Sequence, residues 1–332
     1  MRVHSTLVLV YVLILGAYES ASLLSSRGFA KKRHMLCMTS SPISVLVSGL
    51  PGPMARSVAE CCLDRGFNLL PFSFTGLKSS KNIKQVTIEG LNRSQEVKLY
   101  PGPGLDPSSK SKLMDIKGAC EQLIVVDYST PQAVLENIHC YVDTNCDFIM
   151  GTTGEDLSII KDILNKGTNL ALISPNMAKQ IVAIQSTIHD MAAKFPNSFK
   201  GYQLHVTESH QPTKLDTSGT AKALVYDICD LTNETFEIKF HEINKIRNID
   251  DSIRFGVPKE HITQGHAFHT YRLVSPDGSV SFELKHNVCG RRVYAEGTAD
   301  AISFLADVRN QGTSQEKRIY SMIDVLHASR MR

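Results

Sequence analysis

His210 and Lys214 lie four residues apart, just before a sequence that is typical of a helix start. Histidine can change its charge near neutral pH, and a lysine ammonium can bind an anion or, when partly desolvated, release a proton. Apolar spacing over residues 221–230 predicts a helix that begins at Ser218, Gly219 and Thr220. The free N–H groups and positive dipole end of such a helix attract a carboxylate or phosphate. The segment therefore predicts a reaction centre for an anionic substrate.

The spacing of His210 and Lys214 alone would also fit a plain surface loop before a capped helix. A glycine turn near the start of the chain is a second observation that helps to choose between these interpretations. The apolar run from Ile43 ends in Gly49-Leu-Pro-Gly52-Pro53-Met54, and a helical pattern follows. A dinucleotide-binding βα unit begins in this way, with backbone N–H groups close to a pyrophosphate. Ala55 replaces the usual third glycine, so the motif by itself is weak evidence. We expect Gly49, Gly52, Pro53 and Met54 to contact a dinucleotide.

Further apolar runs alternate with helical or loop segments and predict a mostly parallel, doubly wound sheet. The runs are residues 68–74, 123–127, 147–151 and 169–174. Ligands bind such sheets beyond the carboxyl ends of the strands. The turns at those ends add five residues to the expected cofactor site: Thr75, Asp127, Gly151, Thr152 and Thr153. An ordinary capped turn is the alternative at Asp127, since aspartate is a good N-cap.

The end of the second strand indicates which nicotinamide cofactor is preferred. Phe72-Ser-Phe-Thr75-Gly76 lacks the acidic residue that binds a ribose 2′-hydroxyl in NAD enzymes. Lys78 and Lys81 follow and favour the 2′-phosphate of NADPH. NADH stays the alternative cofactor.

The remaining patterns divide the chain. Residues 77–117 predict a sheet edge and loops without chemistry of their own. From Asn176, a long helix, the strand before His210, the capped helix and β-rich stretches over 236–246 and 266–288 predict a separate α+β domain. Helical patterns over residues 300–306 and 318–326 predict a return to the first domain.

Several motifs, taken in order, match one family. The matching segments are Val47-Ser-Gly-Leu-Pro-Gly-Pro-Met54, Val126-Asp-Tyr-Ser-Thr-Pro131, Met150-Gly-Thr-Thr-Gly154, Ser174-Pro-Asn-Met-Ala-Lys-Gln180, the Glu208 to Thr220 block, Gly265-His-Ala-Phe-His269, His286-Asn-Val-Cys-Gly-Arg291 and Ile319-Tyr-Ser-Met-Ile-Asp-Val-Leu326. The chain resembles dihydrodipicolinate reductase, and its plant-type branch most closely. The resemblance implies a Rossmann-type domain over residues 43–175 with 291–332, and a substrate and oligomerisation domain with an open mixed sheet over residues 176–290.

The resemblance also implies an activity, which is NAD(P)H-dependent reduction of a cyclic dicarboxylate to tetrahydrodipicolinate in the diaminopimelate route of lysine biosynthesis. His210 and Lys214 match the catalytic pair, with Lys214 as the expected general acid and His210 as a substrate-binding and proton-donating partner. The carboxylate-binding helix start corresponds to Ser218, Gly219 and Thr220. Asn176 falls at the hinge near the nicotinamide, although it could equally be a helix N-cap.

Other matched positions carry weaker expectations. Arg291 is a further expected substrate contact, whereas His266, His269 and His286 are interpreted as structural. Gln211 departs from the bacterial pattern, which has a second histidine there. The implied oligomer is a homodimer or homotetramer.

Two competing functions remain at this stage. One is a related two-domain dehydrogenase for another small anionic imine or oxo acid, and the other is a nucleotide-binding relative without catalysis. The second gains weight only if His210 and Lys214 do not converge on one pocket.

Composition excludes some classes of function. The 332 residues carry a net charge of +3 and a hydrophobic fraction of 42%, which fits a packed two-domain protein without the basic face of a nucleic-acid binder. Eight cysteines form no Cys-x-x-Cys pair and no repeated spacing, so we expect free thiols and no metal site.

The first forty residues differ from the rest. An apolar run over residues 7–17 and small residues near Ser20 predict a signal peptide over residues 1–21. Residues 22–41 are rich in serine and basic residues and contain no acidic residue, as in a transit peptide. Together they predict delivery to a plastid through the secretory route, with no membrane span in the mature protein. Plain secretion is the alternative.

Overall fold

A computed structural model describes residues 42–152, 157–214, 216–312 and 317–328. The predicted presequence and Thr153 lie outside these ranges. The strands are β1 (Ser44–Ser48), β2 (Asn68–Leu69), β3 (Phe72–Thr75), β4 (Gln85–Glu89), β5 (Ser94–Pro101), β6 (Leu123–Asp127), β7 (Asp147–Met150), β8 (Ala171–Ile173), β9 (Gln203–His210), β10 (Asn244–Ile246), β11 (His266–Val274), β12 (Ser281–Cys289) and β13 (Ile319–Tyr320). The helices are α1 (Pro53–Asp64), α2 (Leu77–Asn82), α3 (Pro107–Ala119), α4 (Val134–Asp143), α5 (Leu157–Leu164), α6 (Lys179–Lys194), α7 (Gly219–Thr232), α8 (Phe236–Glu242), α9 (Ile249–Arg254), α10 (His261–Gln264), α11 (Arg292–Asn310) and α12 (Met322–His327).

A parallel sheet of strand order β13-β8-β7-β6-β1-β2 carries the first half of the chain. Every residue of β1 and β6 is buried, as expected for parallel strands covered by helices on both faces. The predicted doubly wound α/β fold is confirmed. Strand β13 was not expected, because the pattern over residues 318–326 indicated a helix alone.

The predicted strand over residues 68–74 is interrupted by Pro71. Strand β2 pairs with β1, whereas β3 pairs with β5 in a separate sheet of order β3-β5-β4. Proline has no N–H to donate to a strand ladder, so the chain changes sheet at this residue. The carbonyl of Pro71 still accepts a hydrogen bond from the Lys98 N–H at 3.0 Å.

The interpretation of residues 77–117 as edge and loops was incomplete, because the segment also contains α2 and α3. The start of α3 carries a clear signal. Asp106 caps it by accepting a hydrogen bond from the Ser108 N–H at 2.9 Å, and Pro107 occupies the first helical position.

The second half of the chain forms an open mixed sheet of order β10-β9-β11-β12, with α7 packed against it. The expectation of β structure over residues 236–246 was wrong for most of that stretch, where α8 precedes the short β10. Phe236 and Phe240 explain the difference. Their rings stack 5.9 Å apart at helical spacing and pack on the core of this sheet.

Helix α11 returns to the first sheet, as the sequence predicted, and packs against α1. The seven cysteines in the described ranges are all free thiols, in agreement with their scattered spacing. No described helix is both long enough and apolar enough to span a membrane.

Candidate functional site

The glycine turn after β1 has a geometry that only glycine fits. Gly49 has a φ of +102°, and a Cβ there would lie 2.4 Å from the carbonyl oxygen of Tyr128. A Cβ on Gly52 would lie 2.7 Å from the carbonyl oxygen of Gly49. The turn is therefore folded closely onto the end of β6.

A cavity of about 530 Å³ lies beside this turn, at the carboxyl ends of the parallel strands. Three expected cofactor residues line it, namely Gly49, Gly52 and Thr75. Pro53 and Met54 are the first residues of α1, and Met54 packs against the core. The volume is within the usual range for small-molecule sites.

The turn that follows β5 also lines this cavity, through Gly102, Gly104 and Leu105. Sequence reasoning missed this contribution. The glycine-rich sequence after β5 was the available signal. Because β5 runs parallel to β3, the turn that follows β5 reaches the same edge of the sheet as the turn after β3. The Gly102 N–H donates to the Thr75 carbonyl at 2.8 Å and joins the two turns.

Asp127 is fully buried, and its carboxylate is used inside the protein. It accepts hydrogen bonds from the Ser129 N–H at 2.7 Å, the Asn137 amide at 2.9 Å and the Tyr141 hydroxyl at 2.7 Å. Asp127 closes a local turn in this way, but the N-cap of the helical turn from Pro131 is Thr130, not Asp127. Among the neighbouring turn residues, Tyr128 and Ser129 line the cavity.

Gly151 and Thr152 follow β7 and contact the same turn after β6. A Cβ on Gly151 would lie 2.3 Å from the ring of Tyr128, so this position excludes any side chain. The Thr152 hydroxyl donates to the Ser129 carbonyl at 2.8 Å. Gly151 and Thr152 therefore contact the Tyr128–Ser129 turn, which lines the cavity, and help to fix its position.

Asn176 connects the two halves of the chain. Its side-chain oxygen accepts a hydrogen bond from the Ala178 N–H at 2.8 Å, and its amide donates to the Thr220 hydroxyl at 3.0 Å. The linker between β8 and α6 is thereby joined to the start of α7. Asn176, Gly219 and Thr220 also line a second cavity of about 270 Å³.

His210, at the end of β9, is only 6% exposed, and both of its ring nitrogens face protein atoms. Nδ1 lies 3.1 Å from the carbonyl oxygen of His266, and Nε2 lies 3.2 Å from Nε2 of His269. A carbonyl can only accept, so Nδ1 carries the proton and Nε2 accepts from His269. Burial, with the charge of His269, lowers the pKa of His210 to about 3. The ring is therefore neutral at physiological pH.

Glu208 lies beneath this histidine pair and is fully buried. Its carboxylate accepts hydrogen bonds from the Ser218 N–H at 3.1 Å and from the Arg247 guanidinium. Burial alone would raise its pKa, but hydrogen bonds from two side chains and one backbone N–H outweigh burial and lower the pKa to about 2. Glu208 is therefore an anion that the protein itself neutralises.

Glu208, His210 and His269 also bring three potential metal-ligand atoms within 4.8 Å of one another. The hydrogen bonds above already occupy these atoms. Arg247 supplies the positive charge that a metal ion would otherwise give to the carboxylate. The chemistry of this donor set fits a hydrogen-bonded network.

Lys214 lies on the loop between β9 and α7, and its ammonium is partly exposed. It pairs with the Asp216 carboxylate at 3.1 Å, and that carboxylate is 73% exposed. A pair so open to water is weak and can exchange for a pair with a bound anion. Burial is the largest cause of the lowered pKa of His210, and the positive charge of Lys214 contributes least among the causes.

Arg291, at the start of α11, contacts the end of α10. Its guanidinium donates to the Gln264 carbonyl at 2.5 Å. A Cβ on Gly265 would lie 3.1 Å from that guanidinium and 3.1 Å from the amide nitrogen of Gln211. Gly265 therefore leaves room for both side chains.

The start of α7 combines the remaining expected substrate contacts. The Ser218 N–H is bonded to Glu208, and the neighbouring Gly219 is exposed, with open space around it. The first N–H groups of a helix have no partner within the helix. A ligand carboxylate can therefore approach at Gly219 and Thr220.

Comparison with known proteins identifies matches over nearly the whole described chain. The family described as "Dihydrodipicolinate reductase, N-terminus" matches residues 43–177, and "Dihydrodipicolinate reductase, C-terminus" matches residues 181–326. Among solved structures, the dipicolinate-bound dihydrodipicolinate reductase from Paenisporosarcina sp. TG-14 aligns with a TM-score of 0.55 at 19% identity, covering 84% of this chain and 97% of that one. This structural likeness supports the fold.

Two plant relatives are much more similar in sequence. "Probable 4-hydroxy-tetrahydrodipicolinate reductase 2, chloroplastic" of Oryza sativa subsp. japonica is 42% identical over 87% of this chain and 84% of its own length. "4-hydroxy-tetrahydrodipicolinate reductase 1, chloroplastic" of Arabidopsis thaliana is 40% identical over 87% of this chain and 79% of its own length. The chain belongs to the dihydrodipicolinate reductase family of pyridine nucleotide-dependent oxidoreductases.

Proposed function

We propose that the protein reduces dihydrodipicolinate, or its hydrated 4-hydroxy form, to tetrahydrodipicolinate in the diaminopimelate route of lysine biosynthesis, with NADPH as the preferred cofactor. One arrangement carries the proposal. Asn176 joins the linker from the nucleotide-binding sheet to Thr220, at the start of α7. One side chain thus connects that sheet to the proposed anion site.

The residues of the cavity fit a dinucleotide. Gly49 and Gly52 line the cavity next to the start of α1, where a dinucleotide pyrophosphate is bound in folds of this kind. The bound cofactor supplies the hydride.

The chain's own residues then bind the dicarboxylate and complete the reduction. One carboxylate is placed at the N–H groups of Gly219 and Thr220, and Lys214 leaves Asp216 to meet the substrate. Lys214 donates the proton that accompanies the hydride. His210 stays neutral and forms the wall beneath the ring.

A coupled assay tests this proposal. The dihydrodipicolinate precursor is generated in place, and the loss of nicotinamide absorbance is followed for the wild type and for a His210→Ala, Lys214→Ala double variant. Rapid oxidation that collapses in the variant supports the reductase. Nucleotide binding without oxidation by the wild type would contradict it and favour another anionic imine or oxo acid, or a non-catalytic relative.

The preference for NADPH rests on the turn after β3. Ser79 of α2 lines the cavity, and the exposed Lys78 and Lys81 lie on either side of Ser79 in the sequence. Replacing both lysines by serine should raise KM for NADPH and leave KM for NADH unchanged, with the exposed Lys98 as a matched control. An equal effect on both cofactors would remove the basis for the preference.

The site of action and the oligomeric state belong to the same proposal. Plastid delivery by residues 1–41 would be tested by fusing this segment to a fluorescent protein. A homodimer or homotetramer built on the open sheet is supported by β12, an edge strand where Phe282 is half exposed. Light scattering on the purified protein measures the mass, and a monomer would contradict assembly.

A further inference from the structure

Arg247, the residue that follows β10, extends beneath the loop that carries Lys214. Its Nε donates to the Lys214 carbonyl at 2.6 Å, and Nη2 donates to the Asp216 carbonyl at 3.1 Å. Nη1 donates to the Ile246 carbonyl at 3.0 Å, and Nη2 also pairs with Glu208. One guanidinium therefore binds two backbone positions of the loop and the carboxylate below it.

Glu208 fixes the far end of the same loop. One carboxylate oxygen pairs with Arg247, and the other accepts the Ser218 N–H at 3.1 Å. The Glu208 side chain is fully buried, and the Arg247 side chain is 17% exposed. The pair therefore spans the loop from Lys214 to Ser218 and holds both of its ends from inside the protein.

We propose that Arg247 is a positioning residue, which works with Glu208 to place the Lys214 ammonium at the same substrate as the start of α7. This inference rests on the proposed function and adds a residue outside the predicted site. The link to Lys214 is direct, because Arg247 Nε donates to the Lys214 carbonyl, and Nη2 holds the neighbouring Asp216 carbonyl. Arg247 itself acts through the loop.

Arginine is required here because of its geometry. A guanidinium presents five N–H donors in a planar fork, whereas an ammonium is a point charge on a flexible stem. A lysine at position 247 would keep the charge opposite Glu208 but could not bind both carbonyls of the loop at once. Arg247→Lys therefore separates the charge of the pair from its positioning role.

The central experiment compares wild type, Arg247→Lys and Arg247→Ala, with Arg254→Ala as a matched control. Arg254 is an exposed arginine of α9 whose ion pair to Asp251 lies within one helix. We expect kcat of Arg247→Lys to fall by roughly 100-fold, the loss associated with misplacing a reacting group by about 1 Å. Calorimetric binding of NADPH should be unchanged, which shows that the variant is folded.

Two readouts separate positioning from simple stabilisation. Millimolar guanidinium should restore part of the turnover of Arg247→Ala but none of that of Lys214→Ala. Amide hydrogen exchange at residues 211–218 should be faster in Arg247→Lys than in wild type. Full kcat in Arg247→Lys, or lost loop protection without lost turnover, would overturn the inference.

Failure of the proposed function would look different. A wild type that binds NADPH but does not reduce dihydrodipicolinate removes the substrate assignment, while hydrogen exchange still tests the clamp of Arg247 on the loop. Unchanged exchange in Arg247→Lys would then overturn the clamp itself.

Discussion

The Nε2 atoms of His210 and His269 lie 3.2 Å apart on the neighbouring strands β9 and β11, and the pairing keeps Nε2 of the buried His210 away from solvent. The other nitrogen of His210 donates to the His266 carbonyl. His210 is thus a neutral, fixed ring in this state. Of the two residues first singled out in the sequence, Lys214 has the partly exposed proton-donating group.

The buried histidines make stability depend on pH. Burial is the main cause that lowers the pKa of His210 to about 3 and that of His286 to about 4, against an ordinary value of 6.5. Between those values the unfolded chain binds protons that the folded chain does not, so stability falls as pH decreases below 6.5. We expect the Tm to drop steadily from pH 7 to pH 4.

A histidine variant tests the source of that slope. His286→Gln should flatten the dependence of Tm on pH, whereas His139→Gln, at an exposed position of α4, should leave it unchanged. Parallel curves for wild type and His286→Gln would assign the acid sensitivity to other groups.

Lys214→Met should lower kcat by about 10²- to 10⁴-fold, the usual contribution of a positioned general acid. NADPH affinity should be retained, because the nucleotide cavity lies at the other sheet. Lys245→Met provides the control, since Lys245 is an exposed lysine of the neighbouring β10. Steady-state kinetics measure kcat, and a near-normal kcat in Lys214→Met would exclude Lys214 as the proton donor.

How much the sequence could predict depends on how local the determining contacts are. The buried runs of β1 and β6 and the helix start at Ser218 are read from adjacent residues, and the structure contains them. The glycine turn is local in the positive φ of Gly49, although the carbonyl that excludes a Cβ there belongs to the distant Tyr128.

The residues that sequence reasoning missed are brought in by distant pairing. Arg247 reaches Glu208 because β10 pairs parallel to β9, with Lys245 opposite Glu208. His269 meets His210 because β11 pairs antiparallel to the same strand. No short-range pattern specifies these registers, so neither Arg247 nor the contact between His269 and His210 was predicted.

Gly49→Ala should weaken NADPH binding roughly tenfold or more, because the strain of a positive φ costs about 1–3 kcal/mol and the new Cβ meets the Tyr128 carbonyl. Gly256 has the same φ of +102° but open space around it. Gly256→Ala should therefore lose stability and keep its nucleotide affinity. Calorimetric titration separates the two, and equal NADPH affinities would show that the turn does not hold the cofactor.

Gly297 of α11 packs against the hinge so closely that a Cβ there would lie 1.7 Å from the carbonyl oxygen of Met177. Alanine normally favours a helix over glycine by up to about 1 kcal/mol, but overpacking a dense contact costs about 1–3 kcal/mol. We expect Gly297→Ala to lower the free energy of unfolding, as measured with urea. Gly118→Ala, at a helical glycine of α3 with nothing within 4 Å, should raise it slightly. A gain of stability in both variants would mean that α11 packs less closely against Met177 than the 1.7 Å distance indicates. The contact at Gly297 would then not fix the linker that contains Asn176.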